Sequence, residues 1–141
     1  MNICSINDVE REIFLQMFPF VKLYYYFYIN QMRIHLVKKR NIDLFIEKHR
    51  LSSSAFYNWI AQLKRIDCKN PQDIVDSFNY ADLLGGGSKR IVFNIGGNNY
   101  RMICDYHFGD EMVHLFIRWI GTHSEYTKLC QSGKQHTVRQ F

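Results

Sequence analysis

The sequence predicts an α+β domain in which a short N-terminal strand and several helices precede an antiparallel three-stranded meander that packs on those helices. Apolar residues in the first half of the chain recur at helical spacing, whereas in the second half they alternate with polar residues, as in half-buried strands. Glycine- and asparagine-rich segments separate the alternating runs, which is typical of hairpin turns. The chain has 141 residues, a length that fits one domain of ordinary size.

The first half is predicted to hold one strand and three helices. Arg33–Val37 alternates and is the candidate strand. Asn41 is a candidate N-cap for a short helix over IDLFIEKH, and a serine-rich break then leads into a helix that ends near Ile66. The apolar stripe of this second helix has i, i+3, i+4, i+7 spacing and consists of Phe56, Trp59, Ile60 and Leu63. Asn70-Pro71 opens the third helix, because proline favours the first helical position.

The second half is predicted to form the meander. Its three strands are Arg90–Ile95, Tyr100–Tyr106 and Val113–Ile120. The first turn is Gly96-Gly97-Asn98-Asn99, whose residues tolerate positive φ, and Gly109-Asp110 forms the second turn. The sequence also allows a short helix around Ser124–Leu129, and the polar tail from about residue 130 is expected to fray.

The composition excludes several classes of protein. Aromatic residues make up 16% of the chain, which excludes an intrinsically disordered protein, and 2 prolines with 8 glycines exclude a collagen-like chain. Lys and Arg number 18 against 13 Asp and Glu, which gives a formal charge of +5 at pH 7. A small basic domain favours an anionic partner, and nucleic acid is the first candidate, although charge alone does not establish it.

The four cysteines are Cys4, Cys68, Cys104 and Cys130. They form no C-x-x-C pair and fit neither a zinc ribbon nor a dense disulfide framework, so we expect free thiols in a reducing cytoplasm. A metal site built from Cys104, His107 and His114 is disfavoured by their mixed strand positions. We therefore expect neither a metal nor a cofactor.

The first 31 residues differ from the rest of the chain. The segment Ile13–Ile29 is apolar, but Pro19 and Lys22 interrupt it. It fits neither a transmembrane helix nor a signal peptide with a basic start and a small-residue cleavage site. Three interpretations stay open: a start codon assigned too early with Met32 as the true start, a genuine extra element that covers the domain, or a membrane anchor. We favour the first, so that residues 1–31 are an atypical extension and residues 32–141 are the domain.

Three segments resemble one known family. The first is Lys69-Asn70-Pro71 with Asp73-Ile74, the second is RIVFNIGGNNYR from Arg90, and the third is FIRWIGTHSEY from Phe116. Together they resemble the HigB-type toxins of bacterial type II toxin–antitoxin systems, and the resemblance extends from Met32 to about Leu129. The F-N-I-G-G-N and G-T-H-x-E-Y runs are its most specific parts.

The resemblance implies a RelE-like fold and an endoribonuclease that cleaves mRNA, generally on the translating ribosome. It also implies a HigA-type antitoxin partner with a DNA-binding helix-turn-helix, a cytoplasmic location and no membrane attachment. The competing hypothesis is a non-catalytic RNA- or protein-binding module on the same fold, because a fold does not guarantee its chemistry.

RNA cleavage requires few protein groups, because the ribose 2′-OH is the nucleophile that attacks the adjacent phosphorus. The protein has to align the phosphate, stabilise charge on its oxygens and help to move protons, and no metal is required. Arginine suits the charge and histidine suits the proton transfer. We predict three catalytic residues: Arg101, Arg118 and His123. We predict three RNA-binding residues: Lys89, Arg90 and Tyr126.

Each of these residues also has a purely structural interpretation. Strand alternation places Arg118 on the face of Phe116 and Ile120, where it either belongs to a site or forms an ion pair with Asp105 or Glu111. The predicted site requires Arg118 on the strand and a histidine beyond its end to converge on one phosphate. The structural interpretation is a hairpin salt bridge for Arg101, helix capping for His123, core packing for Tyr126, and simple solvation for Lys89 and Arg90.

Overall fold

The computed structural model describes residues 8–20 and 32–141. The chain divides into two compact units, residues 1–31 and residues 32–141. In the first unit the described residues include helix α1, Asp8–Met17, and the part of the apolar segment after residue 20 lies outside the described residues. No helix in the described ranges is long and apolar enough to cross a bilayer. The proposal that residues 1–31 are not native stays a prediction.

The second unit contains five strands and four helices within residues 32–141. The strands are β1 (Arg33–Val37), β2 (Ala81–Leu84), β3 (Arg90–Ile95), β4 (Tyr100–Phe108) and β5 (Met112–Thr122). The helices are α2 (Arg40–Lys48), α3 (Ser53–Leu63), α4 (Pro71–Ser77) and α5 (His123–Gln131). Two 3₁₀ turns lie at Arg50–Ser52 and Lys134–His136.

The five strands form one sheet in the order β1-β5-β4-β3-β2. β3, β4 and β5 pair antiparallel, which confirms the predicted meander, and β1 lies parallel beside β5. The sequence does not predict β2, which pairs antiparallel with β3 and forms one edge of the sheet. Its four residues ADLL show no alternation and precede three glycines, so pairing with β3 rather than local pattern makes them a strand.

One face of the sheet packs against α2, α3 and α4 to form the main core. The four predicted stripe residues of α3 are all buried there, which confirms that prediction. Trp59 meets Phe93 of β3 edge to face, with ring centroids 5.0 Å apart. Because the helices cover this face, charged side chains of the central strands are directed to the opposite face.

Helix starts follow the sequence at α4 but not at α2. At α4, Asn70 Oδ1 accepts a hydrogen bond from the Asp73 backbone N–H, and the Asp73 carboxylate accepts one from the Asn70 N–H, with Pro71 next to the cap as predicted. At α2 the N-cap is Lys39, without a side-chain hydrogen bond, and Asn41 lies inside the helix. The predicted cap at Asn41 is therefore wrong.

A β-bulge in β5 changes the face on which its residues lie. The β4–β5 register skips one residue of β5, so Ile117 and Ile120 both belong to the main core, while Trp119 lies on the opposite face. The prediction that Arg118 shares a face with Ile120 is therefore wrong, because alternation is interrupted at the bulge. Its predicted proximity to Phe116 is confirmed, since Arg118 Cζ lies 5.7 Å from the centre of that ring.

The C-terminal tail contacts the sheet, contrary to the expected fraying. The Gln135 carbonyl accepts a hydrogen bond from Arg90 Nη1. The Gln140 N–H donates to the Arg118 carbonyl, and Gln140 Oε1 accepts from the Ile120 N–H. β1 pairs with β5 only as far as residue 116, so the tail satisfies backbone groups of β5 beyond that point. These contacts join segments distant in sequence and leave no local pattern, which is why the sequence does not reveal them.

Candidate active site

The sheet face opposite the main core is partly covered by a smaller apolar cluster. Its centre is Val92, Ile103 and Trp119. The residues of α5 and the tail that pack on it include Tyr126, Leu129 and Val138. α5 and the tail therefore cover the middle of this face and leave two groups of charged residues on either side.

Arg101 on β4 is a buried cation with neutral hydrogen-bond partners. The residue is 6% exposed, and its guanidinium donates to the Tyr100 carbonyl at 3.0 Å and to Asn98 Oδ1 at 3.3 Å. Within residues 32–141, neither of these partners is a carboxylate, so the hairpin salt bridge considered for Arg101 is not among its hydrogen bonds. Burying a charge without an opposite charge is strongly unfavourable. Arg101 is therefore a candidate binding group for an anion.

His123 lies in the first turn of α5, next to the turn that carries Asn98. Its backbone N–H donates to the Asn99 carbonyl at 2.9 Å, and its side chain is exposed. Thr122 and Glu125 supply a complete capping box for α5. The helix does not need the imidazole as a cap, so the capping interpretation of His123 is wrong, and the ring is accessible to a substrate.

Tyr126 lies one helical turn after His123, and the charge of Arg101 acts on its hydroxyl group. Its ring packs on Trp119, with centroids 6.1 Å apart. Burial, followed by a hydrogen bond with Cys130, raises the pKa of the Tyr126 hydroxyl well above its usual range, although Arg101 acts in the opposite direction. The phenol is therefore protonated at neutral pH and can donate a hydrogen bond. We call Arg101, His123 and Tyr126 the Arg101 site.

The second group, which we call the Arg118 cluster, consists of Arg90, Asp105 and Arg118. Asp105 Oδ2 accepts a hydrogen bond from Arg118 Nε at 2.6 Å, so the ion pair that the sequence allows for Arg118 is present. Asp105 Oδ1 lies 2.8 Å from Arg90 Nε, an ion pair whose alignment falls outside hydrogen-bond geometry. The Arg90 side chain is 4% exposed and that of Arg118 is 20% exposed. Arg90 is thus engaged by the protein, whereas Arg118 reaches solvent.

The Arg101 site and the Arg118 cluster are separate. Arg101 and Asp105 are four residues apart on β4, which corresponds to about 13 Å at the usual rise of a strand. Arg118 precedes His123 by five residues, and within residues 32–141 the structure contains no hydrogen bond or ion pair between them. Arg118 is bound to Asp105, and its convergence with His123 on one phosphate stays a prediction. Lys89 is exposed at the start of β3, beside the Arg118 cluster.

Residues 52–129 match the model of the HigB toxin family, described as the RelE-like toxic component of a toxin-antitoxin system. The chain belongs to this family. A curated relative, mRNA interferase HigB of Escherichia coli O6:H1, is 26% identical over 103 residues, which are 73% of this chain and 98% of the relative. The resemblance to HigB-type toxins and the RelE-like α+β fold are both confirmed.

The HigB match includes all six predicted site residues but neither β1 nor the tail. As the toxic component of a toxin–antitoxin pair, the chain has an antitoxin partner and an RNA substrate. Sequence reasoning missed Asn98 as a partner of Arg101, although it is the last residue of the F-N-I-G-G-N run. The sequence identifies Asp105 only as one possible partner of Arg118. The contact of Asp105 with Arg90 depends on the register of β3 and β4, which the sequence does not reveal.

Cys68 and Cys104 are poor nucleophiles in this fold. Cys68 and Cys104 are buried free thiols, Cys130 is partly buried and free, and Cys4 lies outside the described residues. Burial raises the pKa of the Cys68 thiol to about 11 and that of Cys104 further still, so both stay protonated at neutral pH. In the described ranges no group of three or more His, Cys, Asp and Glu side chains is arranged to hold a metal ion.

Proposed function

We propose that this HigB-family toxin is an endoribonuclease that cleaves mRNA on the translating ribosome in the cytoplasm, and that a HigA-type antitoxin with a helix-turn-helix neutralises it. The family and the name of the Escherichia coli relative support a toxin that acts on mRNA. The formal charge of +5 favours a polyanionic substrate. The single observation that carries the chemistry is the buried, neutrally partnered cation Arg101, whose register partner Gly121 precedes the exposed His123 by two residues.

The Arg101 site is proposed to bind the scissile phosphate. A guanidinium has five N–H donors, of which two are used by Asn98 and the Tyr100 carbonyl, so others remain for phosphate oxygens. In cleavage the ribose 2′-oxygen bonds to the adjacent phosphorus and the bond to the 5′-oxygen breaks, which yields a 2′,3′-cyclic phosphate and a 5′-hydroxyl. Arg101 stabilises the charge that develops on the non-bridging oxygens.

Two protons move in this reaction: the 2′-OH loses one and the departing 5′-oxygen gains one. His123 is the exposed imidazole of the site, and we assign one of the two transfers to it. Tyr126 lies one helical turn after His123 on α5, and its proposed role is to contact the bound RNA there. No step requires a metal.

Arg118 is proposed to bind a second phosphate of the same RNA. Arg118 Nε is hydrogen-bonded to Asp105, which lies about 13 Å along β4 from Arg101, so we assign the two arginines to different phosphates. Arg90 holds the opposite side of Asp105 and thereby positions Arg118, and the exposed Lys89 adds charge beside the cluster. In this arrangement Arg118 binds substrate, and the reacting atoms lie at Arg101.

Mapping of mRNA 5′ ends after brief induction tests the proposal. The full chain is compared with Arg101→Ala, His123→Ala and Arg118→Ala, and with Arg65→Ala as control, because Arg65 is an exposed arginine outside both groups. We expect new ends in translated regions for the unchanged chain and the control. Loss of Arg101 should reduce cutting about 10²–10³-fold and loss of His123 about 10²–10⁴-fold.

Three results would change the assignment. Full cutting by both Arg101→Ala and His123→Ala would leave a nuclease with a different site. Cuts in untranslated RNA at equal frequency would argue against action on the ribosome. RNA binding without any new ends would favour the non-catalytic binding module. Expression from Met1 and from Met32 in parallel tests the proposal that residues 1–31 are dispensable.

A further inference from the structure

A row of planar side chains continues from Arg118 along β5 and onto β1. Arg118 Cζ lies 5.7 Å from the centre of the Phe116 ring. The Phe116 and His114 ring centroids are 6.2 Å apart, and those of His114 and His35 are 5.4 Å apart. The Nδ1 atoms of the two histidines are 3.2 Å apart. We call Phe116, His114 and His35 the aromatic row.

Strand register places this row on the face that carries the Arg118 cluster. Phe116 pairs with Asp105, and His114 is the register partner of both His107 on β4 and His35 on β1. On this face, α5 and the tail pack on the smaller apolar cluster. That cluster does not include the aromatic row. Phe116 and His114 are therefore half-buried and His35 is exposed, so the row is open to a ligand.

The charges around the row favour a polyanion. Arg118 stands at one end, and the exposed Arg33 lies two residues before His35 on β1 at the other end. A cleft of about 300 Å³ lies there, lined by Arg33, Ile34, His35 and Met112. Arg33 is the register partner of Met112, the residue that follows Asp110 and Glu111 of the β4–β5 turn, so a bound polyanion is expected to cross β1 at Arg33 and to stop short of the turn.

We propose that the aromatic row is a base-stacking platform for the single-stranded mRNA that flanks the cut, with Phe116 as the ring next to Arg118. The inference rests on the proposed function and extends the substrate site along β5 to His35 on β1, which lies outside the segment matched by the family. Unstacked RNA bases stack on aromatic and histidine rings and on guanidinium planes, while cations hold the phosphates. The row supplies the rings, and Arg118 and Arg33 supply the cations at its two ends.

The test compares matched variants of the full chain for mRNA cleavage in a purified translation system. Phe116→Leu keeps apolar bulk but removes the ring, Phe116→Tyr keeps the ring, and Tyr80→Leu removes an exposed aromatic residue elsewhere. We expect Phe116→Leu to raise the mRNA KM about tenfold, as for the loss of one stacked base, with kcat changed less than about threefold. Phe116→Tyr and Tyr80→Leu should keep the KM within about twofold.

Fluorescence anisotropy with a 2′-O-methylated single-stranded RNA measures binding without cleavage, because that RNA lacks the nucleophile. A selective loss of RNA affinity in Phe116→Leu supports the platform. If the unchanged chain binds this RNA but cuts no mRNA, the proposed function is rejected and the platform is not. Unchanged KM and unchanged affinity in Phe116→Leu overturn the platform, and so does a variant that loses only antitoxin binding. His114→Gln gives the same test at a second position if Phe116→Leu lowers the thermal unfolding temperature.

Discussion

Asp105→Asn should destabilise the protein more than removal of the Arg118 guanidinium. Asparagine keeps the size of the side chain but removes the charge, so Arg90, which is 4% exposed, stays buried without an opposite charge. Removing one partner of a buried ion pair typically costs about 3–5 kcal/mol. Because the Asp105 side chain is 23% exposed, water offsets part of this loss, and we expect the free energy of unfolding to fall by about 3 kcal/mol. In Arg118→Gln the Asp105 carboxylate still forms its ion pair with Arg90, and we expect the free energy of unfolding to fall by about 1 kcal/mol.

Urea unfolding followed by tryptophan fluorescence measures the difference, since Trp59 and Trp119 are both buried. The Asp105→Asn transition should move to lower urea with an unchanged slope, and its thermal midpoint should fall by about 10–15 °C. Equal losses in Asp105→Asn and Arg118→Gln would refute the reasoning, because they would show that Arg90 does not depend on Asp105.

Four further changes have defined outcomes. Arg101→Met should reduce mRNA cleavage about 10²–10³-fold yet leave the unfolding temperature equal or higher, since it removes a buried charge; a large loss of stability in calorimetry would contradict this. Asn70→Ala should lower the free energy of unfolding by about 1 kcal/mol through loss of the α4 cap, measured by urea titration. Gln140→Ala should cost about 1 kcal/mol in the same assay, because the Ile120 N–H loses its acceptor. Burial raises the pKa of Cys68, so the folded protein keeps this thiol neutral at a pH where the unfolded chain loses the proton. The contribution to stability is complete below the ordinary thiol pKa and is lost as the pH rises toward about 11. Cys68→Ala should therefore lessen the decline of the unfolding temperature at alkaline pH.

Local pattern was sufficient for most of the fold. The alternation of Arg90–Ile95 and the Gly96-Gly97 turn predict the first hairpin of the meander correctly, and the i, i+3, i+4, i+7 stripe predicts the buried face of α3. These elements carry their own signals, because side-chain periodicity and turn chemistry are properties of contiguous residues. The missed strand β2 carries no such signal, and only its partner β3 makes it a strand.

The candidate site was harder to predict, because its geometry depends on register and on segments distant in sequence. The sequence identifies Arg118 as an arginine that needs a partner, and the structure supplies Asp105. It does not reveal the β5 bulge or the approach of Gln135 to Arg90, both of which depend on long-range packing. The hydrogen bond of Arg118 to Asp105 on the neighbouring strand also depends on register, and the expected convergence with His123 did not take it into account.

Two buried arginines on the same sheet face show how a functional charge is distinguished from a structural one. Arg90 is 4% exposed and lies 2.8 Å from a carboxylate oxygen, so its charge is compensated within the protein. Arg101 is 6% exposed and donates only to neutral oxygens among its hydrogen bonds within residues 32–141. A fold selected for stability alone would replace the second cation with an apolar side chain, because burial without an opposite charge is unfavourable. Its retention beside His123 is explained if the missing negative charge arrives with the phosphate of the RNA.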